Sequence, residues 1–200
     1  MLFRSAWLGC SGGGAELEPV AGFSILSGQT VLVLPVQYVR PVPGGWVGGA
    51  ENAQSAARRT DLEIGFALAE RGGRAVWVTP EQLVETLRRR PGIEIDPYAL
   101  AADEVRRKGM RLRHVGDPLY GELRMMAALF DSRYALWPLE IVYEAGDSVT
   151  AGQLQVLTVL LDTRAGNVLW SGSVRGGSGA PSSTGALAGL AQAFAETVSP

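Results

Sequence analysis

The stretch from Gln153 to Gly176 constrains this chain more than any other. It reads Gln-Leu-Gln-Val-Leu-Thr-Val-Leu-Leu-Asp, then Thr-Arg-Ala-Gly-Asn, then Val-Leu-Trp-Ser-Gly-Ser-Val-Arg-Gly. Two strand-like runs joined by a short segment of turn formers predict a β-hairpin. In the first run Leu154, Val156 and Leu160 share one face, and Leu157, Val159 and Leu161 the other. A strand apolar on both faces is covered on both sides, so it belongs inside a sheet. The second run is more polar, with Ser171 and Ser173, and belongs nearer an edge. Asp162, Gly166 and Trp170 are its structural markers. No residue type that performs catalysis is concentrated here, so this stretch specifies architecture and not chemistry.

The remaining elements follow in order. Thr30 to Val36 is a continuous apolar, β-branched run and predicts a buried strand; Pro35 cannot donate to a ladder, so regular pairing should stop there. Residues 40–52 turn to Pro and Gly around Trp46, a loop or flap in which Trp46 is either a partner-binding anchor or a side chain packed back over the sheet edge. Thr60 or Asp61 is the expected N-cap of a helix with Leu62, Phe66 and Ala69 on one face beside Ile64 and Leu68, ended by Gly72-Gly73. A short strand over 75–79 follows, then a helix opened by Pro80 with Leu83, Val84 and Leu87 inward, a further helix over 96–108, and one begun by Asp117-Pro118 with Leu119, Leu123, Met126 and Phe130 at helical spacing. Tyr134 to Ala145 is a strand that turns at Gly146-Asp147 into the hairpin. Residues 176–185 form a flexible link, and Leu187, Leu190, Ala191, Phe194 and Val198 make the stripe of a closing helix.

Early alternation of strands and helices demands parallel crossovers, whereas the last three strands, separated by short turns, form an antiparallel meander. The expectation is an α/β fold: one mixed sheet with an early parallel βαβ part, a C-terminal three-strand meander, and helices packed on it. With 200 residues, 46% of them apolar, one domain over 28–200 is expected, preceded by a segment, 1–27, of different character.

Charge and rare residues remove several functional classes. A net charge of −2 argues against a nucleic-acid binder. The basic clusters Arg88-Arg89-Arg90 and Arg106-Arg107-Lys108 sit at expected helix C-termini, where cations are favoured. No apolar run is long enough to cross a bilayer. One cysteine and one histidine, Cys10 and His114, leave no intrachain disulfide and no multi-histidine or cysteine-rich metal site. His114 lacks the setting of a hydrolytic base, since no Gly-x-Ser-x-Gly elbow follows a strand. Asp103/Glu104 and Glu140/Glu144 have no spacing that marks them against a solvated face. No cofactor is called for. The one chemically suggestive loop, Gly176 to Gly185, follows a strand and precedes a helix, as anion-holding backbones do; Ser178, Gly179, Ser183 and Thr184 would form the cradle of a soluble small-ligand or nucleotide-binding domain. It lacks the Walker and Rossmann spacings, and an ordinary linker uses the same residues.

The N-terminus carries the preferred reading. Leu8-Gly9-Cys10 followed by Ser and three glycines resembles the end of a bacterial lipoprotein signal peptide, with Cys10 as the lipidated residue and 11–27 as a tether. The apolar stretch before Cys10 is short, and Trp7 stands where Leu is usual, so the signal is read as truncated, with Met1 inside a longer leader.

Three local phrases resemble the α/β domain of periplasmic lipoproteins of the CsgG, TolB amino-terminal and penicillin-binding-protein-activator type. They are the strand ending in Leu34-Pro35, the hairpin phrase Asp162-x-x-x-Gly166-x-x-x-Trp170, and the amphipathic C-terminal helix. The resemblance implies a non-enzymatic envelope protein, held by a lipid at the outer membrane and facing the periplasm. Such a domain presents a sheet edge or helix face to envelope proteins that it binds or helps assemble or secrete, with homo-oligomer formation left open.

Overall fold

The computed structural model describes residues 23–146 and 152–199. Eleven regular elements follow one another: β1 (Thr30–Val33), β2 (Tyr38–Val39), α1 (Ala53–Arg71), β3 (Val76–Val78), α2 (Pro80–Arg88), α3 (Asp103–Lys108), α4 (Leu119–Ala128), β4 (Tyr134–Glu144), β5 (Gln153–Asp162), β6 (Asn167–Ser178) and α5 (Thr184–Val198). The sheet has six strands in the order β3-β1-β4-β5-β6, with β2 paired to β4 beyond the end of β1. β1 runs parallel to β3 and β4, and the β4-β5-β6 meander is antiparallel, so the mixed sheet is as expected.

The two-sided character of β5 is realised. Leu154, Val156 and Leu160 join the core under α1 and α5, and Val159 and Leu161 join the core under α2, α3 and α4, with Leu157 packed against it. β6 lies at the sheet edge, and residues 113–115 cover one end of it through Val168 N–H to Arg113 O and Val115 N–H to Gly166 O, both 2.9 Å. His114 belongs to that covering segment. Pro35 interrupts pairing as expected: β1 stops at Val33, and the fully buried Trp137 donates its indole N–H to the Pro35 carbonyl at 3.1 Å.

Five expectations are corrected. The segment up to residue 27 is not all linker, because Phe23–Leu26 forms a 3-10 turn whose Phe23 and Leu26 are buried. α1 starts well before Thr60 or Asp61: Asn52 caps it through a reciprocal pair with Ser55, and both expected caps are buried in the helix interior. Its inward face is also different. Ala56, Ala57, Thr60, Asp61, Ile64, Ala67 and Leu68 are buried, whereas Leu62 and Phe66 are 57% and 62% exposed. Small residues on that stripe let α1 approach closely, and α1 and α5 pack together.

The helix expected over 96–108 is confined to Asp103–Lys108. Asp96 Oδ1 accepts from Tyr98 N–H, and Gln37 reaches across to the Pro97 carbonyl and the Leu100 N–H, so side chains satisfy this backbone outside a helix. Lastly, Glu140 is not on a solvated face. It is buried on β4 and engaged by Arg40 at 2.9 Å and Arg106 at 3.7 Å, while the Arg106 guanidinium lies over the Tyr38 ring.

Candidate functional site

The hairpin markers form one structural unit. Asp162 Oδ1 accepts from the Arg164 and Ala165 N–H groups, its Oδ2 takes Arg133, and Gly166 closes the turn at φ +69° with its N–H on the Asp162 carbonyl. A Cβ at Gly166 would meet His114 Nε2 and the Tyr120 ring, both 2.9 Å away. Trp170 is half-buried and lies edge-on to Phe23 with ring centroids 5.0 Å apart; a Cβ on Gly172 would meet its ring at 2.6 Å.

The glycine-rich loop is largely consumed by packing. Gly176, Gly177 and Ser178 belong to β6. A Cβ at Gly176 would come within 2.6 Å of Ala193 Cβ, and one at Gly177, where φ is +65°, would collide with the Ala186 carbonyl. These glycines let the strand touch α5, so their backbone faces a helix. Gly179 N–H is held by the Gly152 carbonyl at 2.9 Å. Ser183 precedes Thr184 at the start of α5 without capping it through its side chain.

The flap is fastened down as well. Val47 is fully buried, Trp46 is half-buried against the core, Arg59 donates to the Gly48 carbonyl at 2.7 Å, and Gly48 N–H reaches Pro181 O. Trp46 therefore adopts the packed-back arrangement. Cys10 lies outside the described residues, as does Asp147 of the expected turn.

Sequence reasoning missed a further feature, a groove of 1240 Å³ between α1 and α2. It is built at the carboxyl ends of the parallel strands β1 and β3, where α1 leaves toward one face of the sheet and α2 toward the other. In open α/β sheets such divergence leaves a crevice, the usual place for a ligand. Thr79, which ends β3, caps α2 through a reciprocal pair with Gln82 and also borders the groove. Leu62 and Phe66 line it from α1, and Val84 from α2.

Asp61 lies in its wall and is 5% exposed. Oδ1 accepts from the Val36 N–H at 3.0 Å, just past the end of β1, while the buried Oδ2 has no donor in hydrogen-bonding geometry among the described residues. Burial pushes this carboxyl up to about 7, against the opposing pull of the Val36 N–H and the facing Tyr98 hydroxyl. Tyr98 is raised in turn by its own burial and by Asp61. The Arg58 guanidinium stands 5.6 Å from the Tyr98 ring centroid. The sequence signal for this site was a lone acid between Thr60 and Leu62 on a helix, which also reads as a cap.

No protein-family model matches the chain, and no curated protein matches it. Among solved structures, it is similar to the LpoB C-terminal domain from Salmonella enterica, at 19% identity and TM-score 0.40, covering 75% of this chain and 83% of that one. A PelC dodecamer from Paraburkholderia phytofirmans aligns at 15% identity and TM-score 0.43, over 86% and 89% of the two chains. Lipoprotein GNA1162 from Neisseria meningitidis aligns at 20% and 0.37, over 74% and 78%.

Proposed function

We propose that this chain is a non-enzymatic cell-envelope lipoprotein, anchored through Cys10 at the bacterial outer membrane, whose packed domain faces the periplasm and binds protein partners. The observation that carries the reading is Leu8-Gly9-Cys10 followed by Ser11 and Gly12 to Gly14, a lipidation-like cysteine with a glycine tether, standing in sequence before the packed domain.

The polar clusters inside the fold support structural rather than chemical work. The Asp162 carboxylate is engaged by Arg133 and turn amides, and the Glu140 carboxylate by Arg40 and Arg106. The groove between α1 and α2 stays open and suits contact with a partner.

The test is the intact mass of the mature protein from its native host, expressed from its full upstream reading frame, with and without an inhibitor of lipoprotein signal peptidase. The expected chain begins at an acylated Cys10, and the inhibitor blocks its processing. A mature chain that retains residues before Cys10 and carries no lipid overturns the anchor.

A further inference from the structure

We propose that the groove between α1 and α2 receives a partner segment that sets a cationic side chain against Asp61 and apolar side chains against Leu62 and Phe66. Building on the partner-binding reading above, this names the chemistry of the partner. The first support is an under-satisfied acceptor: Oδ2 of a carboxyl 5% exposed has no donor in hydrogen-bonding geometry among the described residues, only the facing Tyr98 hydroxyl, and burying such a group poorly paired is costly. A charged donor satisfies it with the strongest kind of hydrogen bond.

The second support is the balance of charge around it. Three acids besides Asp61, namely Glu63, Glu81 and Glu85, line the groove against two bases, Arg58 and Arg89. The lining is therefore net negative even with Asp61 protonated, which steers and retains a cation. The third is the pair of large apolar side chains, exposed side by side one helical turn apart on α1. Most exposed apolar residues need no explanation, but these two border the same cavity as the unpaired carboxyl. At 1240 Å³ the groove exceeds the span of about 300–1,000 Å³ usual for small-molecule pockets, so a polypeptide segment fills it better than a compact metabolite.

The experiment titrates the full chain with a short acetylated and amidated peptide alternating leucine and lysine, followed by backbone amide shifts. The same peptide with glutamate in place of lysine is the control. Binding is expected to saturate, with shifts centred on Leu62, Gly65, Phe66 and Tyr98, and the glutamate peptide to leave them unmoved. At pH 8, where the carboxyl is ionised, Asp61→Asn keeps an acceptor for the Val36 N–H but removes the charge, and should weaken the lysine peptide by about tenfold. Phe66→Ser, on an exposed site where folding is not at stake, should weaken it independently.

Shifts centred elsewhere, equal binding of both peptides, or an Asp61→Asn chain that binds as well as the parent would each overturn the proposal. So would sedimentation showing that the parent self-associates and Phe66→Ser does not, since a second copy would then occupy the groove. Failure here leaves the mass measurement at Cys10 untouched, and an unlipidated chain leaves peptide binding untouched.

Discussion

Arg133 donates from Nε and Nη2 to one oxygen of Asp162, at 3.0 and 2.8 Å, and so clamps the start of β4 to the end of β5 beside the hairpin turn. Burial alone would raise the Asp162 carboxyl, but the Arg133 guanidinium and the two turn amides outweigh it and hold it below the usual carboxylate range. Its contribution is present at neutral pH and lost as pH falls below about 4. Asp162→Ala should cost about 2 kcal/mol at pH 7, and the gap to the parent in denaturant midpoints should narrow at pH 3. An equal gap at both values would mean the charge is not what matters there.

Asp61 has the opposite sign. Its folded carboxyl keeps a proton up to about 7, whereas the unfolded one releases it near ~3.9. Folding therefore takes up a proton between those values, so this residue's contribution declines as pH rises from about 4 to about 7 and is level above that. Asp61→Asn should be more stable than the parent at pH 8, by on the order of 2–4 kcal/mol, with a smaller difference at pH 5. Thermal melts across that range check it; a difference independent of pH would show that burial does not hold the proton.

Gly177 tests the contact between strand and helix. An alanine there has both a positive φ and the Ala186 carbonyl to contend with, and should cost about 2–4 kcal/mol. Gly185→Ala meets only Ser183 Oγ at 3.5 Å and should be neutral or slightly stabilising. Equal effects in equilibrium unfolding would mean that β6 and α5 do not touch as described.

Phe23 and Trp170 should be coupled. Single alanine variants and the double variant, measured by urea unfolding, should give an interaction energy of about 0.5–1.5 kcal/mol. Trp170→Ala alone should cost about 2 kcal/mol, less than a fully buried ring, because the indole is half-exposed. Strict additivity would detach Phe23 from the domain.

The parts of the fold that were legible in the sequence are those where burial has a clean period. β5 reads correctly because both of its alternating sets are apolar, and α5 because Leu187, Leu190, Phe194 and Val198 repeat at helical spacing and are all buried. α1 misled because only part of its large apolar set is buried: Ile64 and Leu68 turn inward beside Ala56, Ala57 and Ala67, which leaves Leu62 and Phe66 outside. The Asn52/Ser55 cap was obscured by the glycine-rich flap before it. The groove could not be seen in one stretch, since it joins α1, α2 and Tyr98, residues from three segments that meet only because helices leave β1 and β3 toward opposite faces.

A strand that is apolar on both sides has no wrong side. Sliding β5 by one residue against β4 would exchange its two sets and still bury leucines and valines on each face, so hydrophobicity cannot choose the offset. The choice falls to fixed points: the register shift between Pro138 and Glu140, and the Asp162 turn with Arg133 fastened to it. Damage to that turn should then show less as a weaker native state than as chains that pair at the wrong offset, recovered from refolding as aggregate.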